Sequence, residues 1–306
     1  MVIRRYDPSL LASSLALLRR SESTPRTPST WKANRLRAVI AFESKRPIGI
    51  LPLEPRLFKI SGTKTVRALW VSGAHVDGPF RSRGIGRAMD AAITRMYPYA
   101  QAVFAYRHDP SSRAYQWYHR QGYRPLCPVV SFKKKVVAPR GRIKFEVLSS
   151  PRSIQALGPS LLRVFQKMTG KAGGYPKRSA GFWGHVRKHH YYKKFYKYFL
   201  LIIKNKTQLQ NYALVGETTM KDKIPRFDIL EMSDPLMLGP VMQFAKQRTL
   251  REVRIQCAAH DPWARIYRNQ GFQERWRTFI LGKSLHPGGF EGGDLKSWKY
   301  FHVDYI

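Results

Sequence analysis

A segment in the middle of the chain reappears, with substitutions, near its C-terminal end. Residues 108–123 begin with His-Asp-Pro and end with Gly-Tyr, and residues 260–272 begin with His-Asp-Pro and end with Gly-Phe. Each segment follows an apolar run typical of a buried strand, at 102–106 and at 253–259. The period of about 150 residues is the size of a domain and exceeds the roughly 20–50 residues of a solenoid repeat. The chain is therefore predicted to contain two copies of one α/β domain.

Hydrophobic periodicity predicts the same order of elements in both halves. In the first half it predicts strands at 2–6, 36–42, 47–53, 65–76, 102–106 and 129–137, and helices at 8–20, 85–96 and 111–121. In the second half it predicts strands at 143–148, 198–204, 211–217, 227–232, 253–259 and 277–282, and helices at 154–168 and 239–248 besides the repeated one. Each half is therefore expected to fold as an α/β domain.

The boundary between the domains is expected at 138–142, where a proline and a glycine are typical of a linker. This boundary gives a first domain at 1–137 and a second at 143–306, the second with an insertion at 170–197 and a C-terminal tail. Aromatic faces beside cations suit stacking on bases or sugars next to phosphates. The insertion is interpreted either as a lid with such a site or as a half-buried amphipathic segment. The side chains concerned are Trp183, His185, Lys188, Tyr191, Tyr192, Lys193, Lys194, Phe195, Tyr196 and Lys197.

The chain carries a formal charge of +36, from 55 Lys and Arg against 19 Asp and Glu. Both halves are basic, with 27 basic and 7 acidic side chains in residues 1–142 and with 28 and 12 in residues 143–306. Such a surface attracts polyanions, so nucleic acid, anionic lipid and phosphate-bearing small molecules are all open as partners. A host with a basic proteome, or a cell interior whose ions screen the charge, explains the number equally well.

Other features of the sequence favour a cytoplasmic protein. The N-terminal region has no apolar segment of the kind found in signal peptides. The longest apolar run, at 198–203, is far shorter than the ~20 residues that span a bilayer. Cys127 and Cys257 lie in different halves, which favours reduced, buried thiols over a disulfide framework. No metal site is expected, and the sequence leaves the oligomeric state open.

The most informative local motif is the glycine-bearing run Arg81-Ser82-Arg83-Gly84-Ile85-Gly86-Arg87, between a strand that ends at Val76 and a helix. The two glycines let the backbone approach an anion closely, and a helix N-terminus adds roughly half a positive charge. The three arginines add further positive charge. The run is therefore predicted to bind a pyrophosphate. It lacks the Gly-Lys-Ser/Thr of a P-loop and the third glycine of a dinucleotide fingerprint.

This run resembles the Arg/Gln-x-x-Gly-x-Gly/Ala loop of the GCN5-related N-acetyltransferases (GNAT). Val76 and Arg81 stand at that family's Val-x-Pro-x-x-Arg spacing, although Gly78 replaces the proline. Downstream, the run from Ala114 through Tyr118 to Gly122 is similar to the family's Ala-x-x-x-Tyr-x-x-x-Gly-Phe. The two motifs occur in the family's order. The resemblance covers most of residues 1–137 and, more weakly, residues 143–283. It implies an α/β fold of two tandem GNAT-like domains, each with a central mixed, mostly antiparallel sheet flanked by helices.

The resemblance implies an acyl-CoA as co-substrate, with acetyl-CoA expected, and no metal. Its pyrophosphate would lie on the N–H groups of residues 81–87, and its pantetheine arm along the strand that ends at Val76. Tyr118 would protonate the leaving thiolate, and a general acid contributes typically 10²–10⁴-fold. The alternative is that Tyr118 is a core aromatic residue. The cofactor-binding residues implied are Val76, Arg81, Ser82, Arg83, Gly84, Ile85, Gly86 and Arg87.

The sequence leaves the general base open. Many relatives are similar in carrying a glutamate on the strand before the loop, whereas residues 67–76 hold no carboxylate. His75 is the candidate there, because an unperturbed histidine titrates near pH ~6.5. A water chain or a distant residue is the alternative. Asp109 and Asp261, each preceded by histidine, recur in both copies, which favours a structural role as helix caps.

The second copy has lost the features of the loop. Its equivalent run, residues 232–241, keeps Gly239 but has no arginine. Asp234 adds negative charge there, and Pro240 removes an N–H donor. Tyr267 and Gly271 persist. We therefore expect an active first domain and a degenerate second one that shapes the acceptor pocket.

Taken together, these features predict a tandem GNAT protein that transfers an acyl group to a primary amine of a small molecule or peptide. An amine carried by a protein or an RNA is a further option for the acceptor. The rival hypothesis is a basic, non-catalytic protein that binds RNA or a ribonucleoprotein. The complete glycine loop in one copy favours the enzyme, because a scaffold has no need of a pyrophosphate site.

Overall fold

We analysed the fold in a computed structural model. It describes residues 1–20, 37–62, 64–71, 73–106, 109–137, 139, 141, 143–170, 172–186, 196–218, 224–286 and 298–300. The chain divides into two compact units, each made of three stretches of sequence. Unit 1 comprises Met1–Phe58, Thr65–Leu126 and Phe279–Gly293, and unit 2 comprises Lys59–Lys64, Cys127–Thr278 and Asp294–Ile306.

The described residues of unit 1 form a mixed sheet and three α-helices. Its strands are β1 (Val2–Arg5), β2 (Arg37–Glu43), β3 (Arg46–Ser61), β4 (Lys64–Val71), β5 (His75–Val76), β6 (Ala102–Tyr106) and residues 279–284 of β14 (Gln273–Ser284). Its helices are α1 (Leu11–Arg20), α2 (Ile85–Met96) and α3 (Arg113–Arg120). The strand order is β1-β2-β3-β4-β6-β14, and β4 and β6 are parallel. The buried residues of α2, including Ile85, Met89 and Ile93, pack on the strands together with Tyr118 of α3.

Unit 2 repeats this plan, and its described residues include five α-helices. Its strands are β7 (Arg124–Lys135, from Cys127), β8 (Glu146–Leu148), β9 (Tyr175–Pro176), β10 (Tyr196–Asn205), β11 (Gln208–Thr218), β12 (Arg226–Met232), β13 (Glu252–Ala258) and residues 273–278 of β14. Its helices are α4 (Pro151–Ala156), α5 (Gly158–Thr169), α6 (Phe182–Val186), α7 (Leu238–Gln247) and α8 (Pro262–Asn269). The main strand order is β14-β7-β13-β12-β11-β10-β8, with β12 and β13 parallel.

Most predicted elements are present, and the helix at 85–96 and the strand at 102–106 have the predicted bounds. Two predicted elements are interrupted. The strand at 65–76 is divided into β4 and β5, and the helix at 154–168 is divided at Leu157 into α4 and α5. Proline at the second position of α5, after Gly158, restarts the helix, since proline suits a first turn and disrupts an interior.

The division into units differs from the linear boundary expected at 138–142. The strand after each repeat helix pairs within the unit of the other half. Residues 127–135 of β7 belong to unit 2, where β7 lies antiparallel to β13. Residues 279–284 of β14 belong to unit 1, where β14 lies antiparallel to β6. Hydrophobic periodicity identifies a strand but does not identify its partner, so the sequence carried no sign of this exchange.

The part of the insertion that the structure describes is anchored in the core of unit 2. Trp183 is 1% exposed, and its indole N–H donates to Glu231 over 2.8 Å. Arg178 forms a buried ion pair with the same carboxylate. Trp183 therefore offers no exposed face for stacking. The side chain of His185, and Lys188, Tyr191, Tyr192, Lys193, Lys194 and Phe195, lie outside the described residues.

Two further expectations concern the whole chain. Cys127 and Cys257 are both buried free thiols, and both lie in unit 2 rather than in different units. Within the described ranges, no helix combines the length and the apolar character needed to cross a membrane.

Candidate functional site

A cleft of about 630 Å³ lies in unit 1. It brings together the end of β4, the β5 segment, the glycine loop before α2 and one face of α3. Two of its lining residues, His75 and Tyr118, are the predicted catalytic residues. The full lining is Leu51, Val71, Gly73, Ala74, His75, Val76, Arg81, Gly86, Met89, Arg113, Ala114, Trp117, Tyr118 and Arg120.

The cleft lies where the chain passes from β4 to β5. β4 pairs with β6 as far as Val71, which lies opposite Ala105. β3 is hydrogen-bonded to both β4 and β5, and His75 of β5 lies opposite Ile50. The residues from Gly73 to Val76 consequently line the cleft.

The glycine loop presents the amide groups of a helix N-terminus. Gly84 is the N-cap residue of α2 with φ +76°, a conformation that side chains rarely adopt. The N–H of Ala88 donates to the carbonyl of Gly84 over 3.0 Å, so the amides of residues 85–87 precede the helical hydrogen bonds. Gly84 has no side chain with which to cap them. A Cβ atom on Gly86 would lie 3.2 Å from the ring of Trp117, so glycine also allows α2 and α3 to approach closely.

Arg81, Arg83 and Arg87 are exposed around this N-terminus. Arg81 Nε donates to the carbonyl of Val76 over 3.0 Å, which connects the loop to the strand end. The guanidinium of Arg83 lies 5.3 Å from the ring centroid of Phe80. Ser82 has φ +66°, a left-handed conformation that permits the sharp turn between these arginines. The structure thus brings every predicted loop residue to one helix end.

Tyr118 lies in the cleft and is 6% exposed. Its ring makes edge-to-face contacts with Trp117 and Tyr123, with centroids 4.8 and 5.0 Å away. Burial raises the pKa of Tyr118 well above its usual value, and the charge of Asp90 adds to this shift. The phenol is therefore a neutral proton carrier across the physiological pH range.

Behind Tyr118 lies a buried charge network that sequence reasoning missed. Asp90 is 4% exposed, accepts from the hydroxyl of Tyr123 over 2.9 Å and forms an ion pair with Lys283. Burial also raises the pKa of Tyr123 far above its usual value. Asp90 comes directly after Met89, which belongs to the apolar stripe of α2. A carboxylate buried at this point needs a partner of opposite charge or a hydrogen-bond donor. Lys283 is 193 residues away, so the sequence could not identify that partner.

His75 is 9% exposed and also lines the cleft. Its Nε2 lies 3.6 Å from Oδ1 of Asp77, and Nη2 of Arg46 lies 3.1 Å from the other oxygen of Asp77. Asp77 was not among the predicted site residues, because it lies just beyond the predicted strand, which ends at Val76. The spacing of two residues indicates a contact with His75, since residues i and i+2 of an extended segment point to the same side.

The repeated aspartates act at helix starts. Asp261 is the N-cap of α8 and accepts from the N–H of Trp263 over 2.9 Å, as predicted. The N-cap of α3 is Ser112, whereas Asp109 accepts from the N–H and hydroxyl of Ser111. These bonds lower the pKa of Asp109. His108 lies outside the described residues.

The equivalent place in unit 2 is nearly filled. The loop from β12 to α7 spans residues 233–237, in which Asp234 accepts from the N–H of Leu236 over 2.8 Å. A space of about 20 Å³ lies beside Tyr267 and Tyr300. Tyr300, from the C-terminal tail, is 4% exposed and donates its hydroxyl hydrogen to Gln256 over 3.0 Å.

Comparison with solved structures identifies the class of fold. The chain is similar to a GCN5-related N-acetyltransferase from Anabaena variabilis, with a TM-score of 0.69 and 11% identity over 94% of this chain and 74% of that chain. A probable N-acyltransferase from Enterococcus faecalis gives a TM-score of 0.72 and 10% identity over 94% and 73%. A tandem GNAT protein from the clavulanic acid biosynthesis pathway gives 0.55 and 12% over 94% and 100%.

The chain therefore has the fold of the GNAT N-acetyltransferases, which confirms the predicted fold class. No family model matches the sequence. A sequence search among curated proteins also finds no match.

Proposed function

We propose that this protein is an acyl-CoA-dependent N-acyltransferase that uses acetyl-CoA and acts on a primary amine of a small molecule or peptide. The observation that carries the proposal is the cleft of unit 1, where the glycine loop, residues 73–76 and Tyr118 meet. The similarity to N-acetyltransferase folds supports it.

The residues of the loop fit the diphosphate of an acyl-CoA. An N-terminus with uncapped amides is a ready site for an anion, and three arginines beside it oppose the charge of the phosphates. Residues 73–76 line the cleft, where their main-chain groups can pair with a pantetheine amide. The carbonyl of Val76 already accepts from Arg81, so the neighbouring groups are the better candidates.

The chemistry assigns one proton transfer to each of two side chains. The acceptor nitrogen, as a neutral amine, forms a bond to the thioester carbonyl carbon, and the carbon–sulfur bond breaks. Tyr118 donates its proton to the departing thiolate, and His75 accepts the proton that the amine nitrogen loses. Passage of that proton through solvent from His75 to Tyr118 restores both groups, so the net products are an amide and a free thiol.

Of the two units, only unit 1 is proposed to bind acyl-CoA. In unit 2 the loop lacks the arginines and the left-handed glycine, and Asp234 uses its carboxylate on the loop's own backbone. The space of about 20 Å³ beside Tyr267 is too small for a pantetheine arm.

Calorimetric titration with acetyl-CoA tests this proposal. We expect one site per chain, and we expect Gly84→Asp to abolish binding because it strains a left-handed residue and adds a negative charge to the anion site. The matched control is Gly271→Asp in unit 2, since Gly271 has φ +80° and equally open surroundings. Two equal sites, or undiminished affinity in Gly84→Asp, would refute the assignment.

A further inference from the structure

We infer that Asp77 is the positioning residue for His75: it holds the imidazole in the tautomer that a general base requires, and it favours the imidazolium that forms when His75 accepts a proton. This inference rests on the proposed function for the role of His75 in turnover. The contact itself can be tested without turnover.

The geometry of the pair carries the inference. The side chains of His75 and Asp77 are 8% and 6% exposed, and Nε2 lies 3.6 Å from Oδ1. A carboxylate beside one ring nitrogen favours a proton on that nitrogen, which leaves the lone pair on Nδ1. The distance is longer than a hydrogen bond, but such bonds in free enzymes often tighten only when substrate is bound.

Asp77 is itself held from two directions. Its N–H donates to the carbonyl of Ile48 over 2.9 Å, and its Oδ2 lies 3.1 Å from Nη2 of Arg46 on the same strand. Both partners belong to β3, which also pairs with His75 through Ile50. The carboxylate and the imidazole are thus attached to one strand, and their separation is fixed by its register.

The positive charge of the cleft implies a second effect of Asp77, on the protonation of His75. The other charged or titratable groups in the lining are Arg81, Arg113, Arg120 and Tyr118, and none of the described lining residues is acidic. Three guanidinium groups disfavour the imidazolium that forms when His75 accepts a proton. Asp77 lies behind His75 and offsets that repulsion.

Asp77→Asn tests the inference, because it keeps the shape of the side chain and removes its charge. We expect the NMR titration midpoint of His75 in the ligand-free protein to fall by about one pH unit, the lower end of the shift that an adjacent opposite charge produces. The acidic limb of kcat/KM should move by the same amount, and kcat should fall about tenfold. The affinity for acetyl-CoA should stay unchanged.

Controls separate this role from a structural one. Asp7→Asn replaces an exposed aspartate of the same unit and should move neither the midpoint nor kcat. Asp77→Glu should restore part of the midpoint. Arg46→Gln removes a cation and should give a smaller shift of the midpoint to higher pH, which tests the contact even if Asp77→Asn does not fold.

The decisive observation is the His75 midpoint. If it is unmoved in both Asp77→Asn and Arg46→Gln, the inference is overturned. Absence of acetyl-CoA binding by the unaltered protein would instead refute the proposed function. Failure of the inference and failure of the proposed function are therefore distinguishable.

Discussion

Two tyrosines at equivalent positions of the repeat have similar environments and different access to solvent. Burial raises the pKa of both Tyr118 and Tyr267 well above the usual value, and neighbouring acidic groups add to each shift. Tyr118 lines a cleft of about 630 Å³, whereas Tyr267 is fully buried beside a space of about 20 Å³. Both units therefore contain a neutral, buried phenol. Tyr118 differs from Tyr267 because it lines a large cleft.

This difference predicts opposite results for one substitution at the two positions. Tyr118→Phe should lower kcat at least about tenfold with little change in acyl-CoA affinity, because it removes a proton donor and keeps the ring. Tyr267→Phe should leave kcat nearly intact, because that hydroxyl reaches no cleft. Steady-state kinetics and calorimetry on both variants check this. Equal losses of kcat would mean that each tyrosine is a packing residue.

At the scale of elements, the site depends on how one strand–helix connection is built. In unit 1, 13 residues lie between the end of β4 and the start of α2, and they include β5 and the glycine loop. In unit 2, five residues connect β12 to α7, and Pro240 removes one amide from the first turn of that helix. The same strand–helix order therefore carries a long connection with the glycine loop in one unit and a short connection without it in the other.

The connection also explains what the sequence could predict. Gly84, Gly86 and the arginines could be assigned to a helix N-terminus because glycine and charge act locally. The division of the predicted strand into β4 and β5 was not predictable, because strand pairing depends on neighbours that are distant in sequence. Asp90 was missed because its partner Lys283 lies on a distant element, whereas Asp77 lies two residues from His75 and could have been found from that spacing.

At the scale of the whole molecule, burial of acidic residues leaves the formal charge of +36 unchanged. Each buried acidic residue forms an ion pair with one lysine or arginine, so it offsets the charge of that partner. The buried acidic residues are Asp77, Asp90, Asp228, Glu231, Glu252 and Asp261. The excess of basic residues attracts anions at long range, which suits the proposed phosphate-rich co-substrate whether or not a larger polyanion also binds.

Buried phenols and thiols predict a loss of stability at alkaline pH. Burial raises the pKa of Cys127 to about 12 from 9.0, and it raises the pKa of Cys257, Tyr118, Tyr123 and Tyr267. The folded state then holds these protons more tightly than the unfolded state, so stability is full below pH ~9 and falls as the pH rises. Calorimetric Tm values should decline from pH ~9 upward, and Cys127→Ala should lessen the early part of the decline. A Tm independent of pH up to 11 would contradict this.

The charge of the cleft predicts which amines the proposed N-acyltransferase accepts. Its charged lining side chains are Arg81, Arg113 and Arg120, and no described lining residue is a carboxylate. An amine that also bears a phosphate or carboxylate should therefore be acylated with a higher kcat/KM than its neutral counterpart, and a polyamine should be the poorest acceptor. Glucosamine 6-phosphate against glucosamine is a matched pair, and added salt should narrow the difference, since it screens these charges. A preference for the polyamine would show that acidic groups outside the described lining select the acceptor.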